Sequence, residues 1–242
     1  MGSYKIAFEL QYPKDQRAEN NKLNTTLYAA KMSLGNLSRI NKISNNEYEF
    51  VSGYTKVKLT FYSDEIFRIW LAPGGEYTNP AGNNIVVDYG VKNPHVSMSN
   101  AGDYYKFATP QCVVRVYKKP IRFAMYDKTN KSVLFEESEP LTFGLKTSQI
   151  LRRSADEDFY GCGMQQGHFS HKGKALDIAV TGWDENQASN PVPFYMSTKG
   201  YGVFRNTFSP GHYAFDSTAV VAKYYDNGFK MLGNFSTLTH VG

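Results

Sequence analysis

The segment best equipped for chemistry begins at Trp183, which is followed by Asp184, Glu185 and Asn186. An indole ring offers a flat apolar face on which a ligand can stack, while carboxylate and amide groups can form hydrogen bonds with polar groups of that ligand. Asp184 and Glu185 are adjacent, so a strand would direct them to opposite faces, and they cannot form a two-carboxylate catalytic pair by themselves. Considered alone, the segment favours an exposed hairpin tip rich in polar residues.

The spacing of two histidines gives a weaker signal. His168 and His171 are three positions apart, which can suit a metal on a helix. Ser, Gly and Lys surround them and no third ligand is near, so we predict polar loop residues, open to contact with a neighbouring domain, and no metal site. His212 follows Pro210-Gly211 and is predicted to cap a turn.

The remaining motifs do not favour catalysis by this chain. Cys162 lies between two glycines at a predicted strand start, which is typical of a buried structural thiol rather than a nucleophile. The sequence lacks the Gly-x-Ser-x-Gly elbow of serine hydrolases. Gly161-x-Gly163 is not followed by the third glycine or the helix of a dinucleotide-binding loop. We therefore assign no catalytic residue, no metal and no cofactor.

Composition limits the class of protein. The chain has 242 residues, 41% of them hydrophobic, which is enough for a sizeable core. Its net charge is +5, but basic residues occur in short groups such as Lys118-Lys119, which disfavours a nucleic-acid groove. No run approaches the ~18 apolar residues of a membrane span. No signal peptide is visible, but Met1-Gly2-Ser3 resembles an engineered start, so periplasmic, secreted and cytoplasmic locations stay open.

Alternation of apolar and polar residues predicts β-strands. Val57, Leu59 and Phe61 should face a core, and residues 63–65 should form a hairpin turn before the next strand. The same pattern recurs in several further segments. They are 112–117, 121–126, 132–135, 193–197, 202–204 and 219–222, with a polar turn predicted at 127–131.

Helical patterning is scarce. The best candidate helix is residues 23–32, while 79–84 and 93–100 are predicted to be loops. Short strands broken by Gly, Pro and Asn are typical of a large all-β fold, an antiparallel β-sandwich with little helix.

Two stretches carry a resemblance to a known family. The first is the strand pattern of residues 103–127, with Thr109-Pro110 before its apolar alternation and a basic-Pro pair, Lys119-Pro120, within it. The second is Tyr160-Gly161-Cys162-Gly163, followed by Pro-Phe-Tyr-Met-Ser-Thr-Lys-Gly-Tyr-Gly-Val-Phe at residues 193–204. Together they resemble the N-terminal domain of family 31 glycoside hydrolases, the α-glucosidase and α-xylosidase group. The family usually has Glu after the second glycine, where this chain has Met164 and Gln165.

The resemblance implies a fold and a role. The fold is a galactose-mutarotase-like supersandwich that packs on a (β/α)8 barrel. That barrel supplies two carboxylates for retaining hydrolysis, which stand about 5–5.5 Å apart, and it needs ~250 further residues. Residues 1–242 would then be a single non-catalytic N-terminal domain, inactive alone, with the barrel absent from this chain. Trp183, Asp184, Glu185 and Asn186 would line the sugar pocket at the barrel mouth, with the barrel and an oligosaccharide or glycoside as partners.

Two alternatives stay open at this point. The chain is also compatible with a free-standing carbohydrate-binding module, in which the aromatic strands make a complete site. A mutarotase-like epimerase is less favoured, because it needs a general acid and base, usually Glu and His, on one concave face. If the chain supports a barrel, we expect an exposed apolar face where that barrel docks. Sugar and linkage specificity stay open.

Overall fold

The computed structural model describes residues 31–78, 94–144, 146–165, 169–179, 190–207, 209–215 and 235–241. These residues form eighteen strands and no helix. The strands are β1 (Met32–Ser33), β2 (Arg39–Lys42), β3 (Glu47–Ser52), β4 (Thr55–Phe61), β5 (Phe67–Ala72), β6 (Ser97–Asn100), β7 (Tyr104–Ala108), β8 (Cys112–Lys118), β9 (Ile121–Asp127), β10 (Val133–Glu136), β11 (Thr142–Phe143), β12 (Lys146–Arg152), β13 (Phe159–Met164), β14 (Lys174–Ile178), β15 (Asn190–Ser197), β16 (Tyr201–Phe204), β17 (Gly211–Phe215) and β18 (Phe235–Val241).

The strands are arranged in four sheets. A four-stranded sheet has the order β2-β3-β4-β5, and a five-stranded sheet has the order β10-β9-β8-β7-β6. A three-stranded sheet has the order β13-β15-β16, and a six-stranded sheet has the order β1-β11-β12-β18-β17-β14. Every pairing is antiparallel except those of β18 with β12 and β17. The all-β, predominantly antiparallel fold predicted from the sequence is confirmed.

Local alternation explains the four-stranded sheet. Val57, Leu59 and Phe61 on β4 are completely buried, while the residues between them are partly exposed. The predicted turn before β5 is present, and the Ser63 Oγ accepts hydrogen bonds from the backbone N–H groups of Glu65 and Ile66. A period of two residues therefore places one face of β4 in the core.

Aromatic contacts join the four-stranded and five-stranded sheets. The ring of Phe50 on β3 meets the rings of Phe107 on β7 and Phe123 on β9 edge-on, at centroid distances of 5.9 and 6.1 Å. Tyr48 packs on Phe107 at 4.7 Å. All four rings are essentially inaccessible to solvent. Full burial of such side chains contributes about 1.5–3 kcal/mol each.

A second set of contacts joins the three-stranded and six-stranded sheets. Phe159 on β13 stacks on Phe215 of β17 with a centroid distance of 4.6 Å. The four-stranded and five-stranded sheets form one half of the described molecule, and the three-stranded and six-stranded sheets form the other. Phe135 on β10 contacts Tyr201 on β16 at a ring-centroid distance of 5.9 Å and so connects the two halves. An isolated antiparallel bridge between Glu137 and the β12 residue Leu151 makes a second connection. Residues from all four sheets therefore belong to one continuous hydrophobic core.

Two predictions of local structure were wrong. Ser97–Asn100, within a predicted loop, forms β6 at the edge of the five-stranded sheet, with all four residues exposed. An edge strand that buries neither face needs no apolar alternation, so its pattern does not differ from that of a loop. Met32, at the end of the predicted helix, belongs to β1. Residues 23–30, 79–84 and 219–222 lie outside the described residues.

Candidate functional site

The predicted pocket segment lies outside the described residues. This applies to Trp183, Asp184, Glu185 and Asn186, so their role remains a prediction. The ends of the segment are defined, because residues 180–189 connect the end of β14 to the start of β15. Strand β14 is at the edge of the six-stranded sheet, and β15 is the central strand of the three-stranded sheet.

A bulge in β13 lies beside the start of β15. Gly161, Cys162 and Gly163 all have positive φ, at 115°, 63° and 76°, and the pairing with β15 changes register between the two glycines. A Cβ on Gly163 would lie 2.1 Å from the carbonyl oxygen of Asn190, and one on Gly161 would lie 2.7 Å from that of Phe194. Both positions therefore require glycine, for backbone conformation and for close approach.

Side chains hold the carbonyl groups of this bulge. The Nε2 atom of His171 lies 2.9 Å from the carbonyl oxygen of Gly161. The side-chain amide of Gln165 donates a hydrogen bond of 2.9 Å to the carbonyl oxygen of Cys162. A carboxylate at position 165 would have no hydrogen to donate, so glutamine is suited to this contact. His171 lies outside the strands, as predicted, but it is buried against the bulge and is not open to a neighbouring domain. His168 lies outside the described residues.

The bulge fixes the environment of Cys162. Its side chain is completely buried, and burial raises the pKa of the thiol to about 12. A thiol with that pKa stays protonated at neutral pH and is a poor nucleophile. The prediction of a buried structural thiol is confirmed.

The outer face of the three-stranded sheet is apolar. This apolar face consists of Tyr160, Met164, Val192, Phe194, Met196 and Phe204, with Phe169 packed on Tyr160. Tyr160 pairs with Met196, and Phe194 pairs with Phe204, across adjacent strands. The exposed fractions are 59% for Met164, 44% for Val192, 49% for Met196, 43% for Phe204 and 87% for Phe169. Along β13, β15 and β16, the residues on this side carry no charge.

The inner side of the same sheet is held by a buried carboxylate. Glu157 accepts hydrogen bonds from the hydroxyl of Ser197, from the hydroxyl of Tyr201 at 3.0 Å and from the backbone N–H of Ser154 at 3.1 Å. Burial and the negative charge of Glu157 raise the pKa of the Tyr201 hydroxyl, which remains a neutral donor. These bonds attach the turn between β15 and β16 to the chain preceding β13 and so orient the sheet.

His212 has a different environment from the predicted turn cap. It is buried in β17, and its Nδ1 atom lies 2.7 Å from the Oδ1 atom of Asp177 on β14. The two residues face each other across the antiparallel pair. No local pattern indicates this contact, because the partners are 35 positions apart.

Two features that bear on function are absent from the part of the chain that the structure describes. No three His, Cys, Asp or Glu side chains there converge into a group able to hold a metal ion. No helix in those ranges has the length and apolar character needed to cross a membrane.

Comparison with known proteins identifies the family. Residues 56–213 match the model of the glycosyl hydrolase 31 N-terminal galactose mutarotase-like domain. The chain belongs to that family. The match contains both stretches on which the resemblance was based, and it includes the three-stranded sheet, the bulge and the segment that contains Trp183.

Relatives of this family 31 domain are longer proteins. An isomaltosyltransferase of Sporosarcina globispora is 23% identical over 167 residues, which cover 63% of this chain and 14% of the relative. An α-glucosidase 2 of Bacillus thermoamyloliquefaciens is 25% identical over 190 residues, 76% of this chain and 22% of the relative. A family 31 dextranase of Flavobacterium johnsoniae, solved with glucose, has a similar fold, with a TM-score of 0.65 and 22% identity over 77% of this chain and 24% of the dextranase. The chain thus spans less than a quarter of the length of each of these three relatives.

Proposed function

We propose that this chain is the N-terminal domain of a retaining α-glycosidase, which supports a catalytic (β/α)8 barrel and extends residues 180–189 into the sugar pocket of that barrel. The barrel belongs to a longer polypeptide, called here the parent polypeptide. The family match supports the domain assignment, since the matched region includes the predicted pocket segment. The parent polypeptide then catalyses the reaction, and residues 1–242 have no turnover by themselves.

The observation that carries this proposal is the attachment of the pocket segment. Residues 180–189 begin after β14 in one sheet and end at β15 in another, so both ends are attached to strands. A connection of ten residues that runs out and back can reach about 15 Å from its ends, at about 3.3 Å per residue. That reach is sufficient to enter a cavity in an adjacent domain.

The chemistry of the segment is binding rather than bond cleavage. The Trp183 indole can stack on a sugar ring, and the Asp184 and Asn186 side chains can bind hydroxyl groups. Retaining hydrolysis needs an acid and a nucleophile about 5–5.5 Å apart, and the adjacent pair Asp184 and Glu185 does not provide this arrangement. Both catalytic carboxylates are therefore assigned to the barrel.

A matched pair of tryptophan variants tests the role of the segment. In the parent polypeptide, Trp183→Ala should raise KM for an aryl α-glycoside about tenfold, because loss of a stacking contact costs about 1.4 kcal/mol. The other tryptophan serves as control, and Trp70→Phe should leave KM unchanged. Equal KM values for the two variants would contradict the pocket role. Hydrolysis of the same substrate by purified residues 1–242 would contradict the assignment of catalysis to the barrel.

The two alternatives have less support. The apolar face offers few groups that could bind sugar hydroxyls, whereas a free-standing sugar-binding module needs such groups beside its aromatic rings. The buried carboxylates Glu137 and Glu157 are occupied by backbone and neutral side-chain donors, and neither is a solvent-facing general base. Calorimetry of residues 1–242 with oligosaccharides distinguishes the binding module, because a supporting domain should show no binding tighter than about 1 mM.

A further inference from the structure

Exposed large apolar side chains are concentrated on the apolar face. Five of the eleven such residues among the described residues belong to it. The other six lie singly at hairpin turns or on edge strands: Met32, Ile43, Tyr54, Ile66, Met98 and Val133. Single exposed apolar residues are common on soluble proteins and need no explanation, whereas a contiguous group marks an interaction surface.

The size of the apolar face is that of an interface core. If a fully exposed large side chain has about 200 Å², the exposed fractions of the five residues correspond to about 560 Å² of apolar surface. The largest patch on a monomer is about 300–600 Å² and is often functional, and a standard interface buries about 800 Å² on each partner. The apolar face is therefore large enough to form the core of an interface with one protein partner.

The chemistry of the face selects the class of that partner. It carries no charge along β13, β15 and β16, so it does not attract an anionic polymer or lipid headgroup. The net charge of +5 on each chain opposes close approach of a second copy. With those ligands disfavoured, the apolar face best fits a neutral, apolar surface of a different protein domain.

The position of the face identifies which protein this is. Its central strand, β15, begins directly after residues 180–189, the segment proposed to enter the sugar pocket. A domain that encloses this segment must lie against the adjoining strand. We propose, resting on the function proposed above, that the apolar face is the docking surface for the catalytic barrel, with Met196 on its central strand and Phe204 on the neighbouring edge strand.

Thiol labelling tests whether this face is covered. The native cysteines Cys112 and Cys162 are buried, so a thiol introduced at the surface is the one that reacts. Single variants Met196→Cys and Phe204→Cys are prepared in residues 1–242 and in the parent polypeptide. Tyr54→Cys is the control, because Tyr54 is 93% exposed at the turn between β3 and β4, away from this face. The measurement is the rate of reaction with a maleimide, with circular dichroism to check folding.

The expected result is selective protection. Met196→Cys and Phe204→Cys should react readily in residues 1–242 and at least about tenfold more slowly in the parent polypeptide. Tyr54→Cys should react within about twofold of the same rate in both. Equal rates for the face variants in a parent polypeptide with an active barrel would overturn the docking surface alone. A parent polypeptide without a barrel would overturn the proposed function itself. Protection that rises with the concentration of residues 1–242 would overturn the barrel as occupant in favour of a second copy.

Discussion

The outer faces of the four-stranded and three-stranded sheets differ in whether their side chains have contacts within the chain. On the four-stranded sheet, Lys58 forms a 2.6 Å ion pair with Glu47, and Glu49 accepts hydrogen bonds from Asn41 and Tyr77. The Trp70 indole there lies under the Arg68 guanidinium at 3.8 Å, and its N–H donates to the carbonyl oxygen of Thr78. Tyr77 and Thr78, in the chain after β5, therefore cover part of this face.

The apolar face of the three-stranded sheet has no comparable cover from the described residues. Its side chains pair with each other across strands, as Phe194 does with Phe204, yet five of them stay exposed: Met164, Phe169, Val192, Met196 and Phe204. Both sheets have inner faces in the same core, so the difference lies only in their outer faces. The polar groups of the four-stranded sheet are hydrogen-bonded or paired within the chain, so that face needs no further contact. The exposed apolar face of the three-stranded sheet is suited to binding another protein surface.

The largest effect is expected where the three-stranded sheet depends on glycine. Gly163→Ala places a Cβ 2.1 Å from the carbonyl oxygen of Asn190 at a positive φ, so it should destabilise the chain by about 3 kcal/mol or more. Gly102 is the matched control, since it also has a positive φ but has no neighbour within 4 Å of an added Cβ. Gly102→Ala should cost about 1 kcal/mol, from backbone strain alone. Urea unfolding measures both, and equal costs would contradict the close packing of the bulge.

The next effect concerns the junction between the two halves, at Glu137. Burial raises the pKa of this carboxyl group to about 7, although it accepts hydrogen bonds from the backbone N–H of Phe123 and from Gln149. The folded state therefore holds a proton that the unfolded state releases near its ordinary pKa of 4.5. Stability from this group is complete below pH 4.5 and is lost as pH rises through 7, by at most about 3 kcal/mol.

The Glu137→Gln variant isolates this dependence. Glutamine resembles the protonated acid in shape and can keep both hydrogen-bonded neighbours. The variant should unfold with a free energy that changes less between pH 5 and pH 8 than that of the unmodified chain. Identical pH profiles for the two proteins would show that Glu137 does not titrate in this range.

The smallest effects compare the two outer faces directly. Lys58→Met removes an ion pair with Glu47 and a cation–π contact with Tyr77, and should cost about 1 kcal/mol. Met196→Lys places a charge on an exposed position and should change the stability of residues 1–242 by less than about 0.5 kcal/mol. In the parent polypeptide the same Met196→Lys change should lower Tm, because it would bury a charge in the interface. A stability loss in residues 1–242 would mean that this chain covers Met196 itself.

The sequence predicted those parts of the fold that depend on local alternation. Val57, Leu59 and Phe61, and likewise Cys112 and Val114, are buried as their spacing predicts. The family motif also located the strands that carry the apolar face. These signals work because a period of two assigns side chains to faces whatever the rest of the chain does.

The sequence did not predict contacts made by polar residues over long separations. His171 and His212 are buried and contact the carbonyl oxygen of Gly161 and the carboxylate of Asp177, respectively. Nothing in the local sequence specifies those partners. The Gly-Cys-Gly motif can be read from the sequence, but the bulge cannot be predicted from it, because the register shift depends on the facing strand β15. These polar contacts and this register depend on how two distant segments pair in the fold, and a local sequence pattern does not contain that information.

Gly202 has a consequence for the shape of the docking surface. The Phe194 ring lies so close to Gly202 that an added Cβ would sit 3.0 Å from the ring, so a larger residue at position 202 would displace the ring from the sheet. The height of the apolar face at the boundary between β15 and β16 therefore depends on a residue that contributes no side chain of its own.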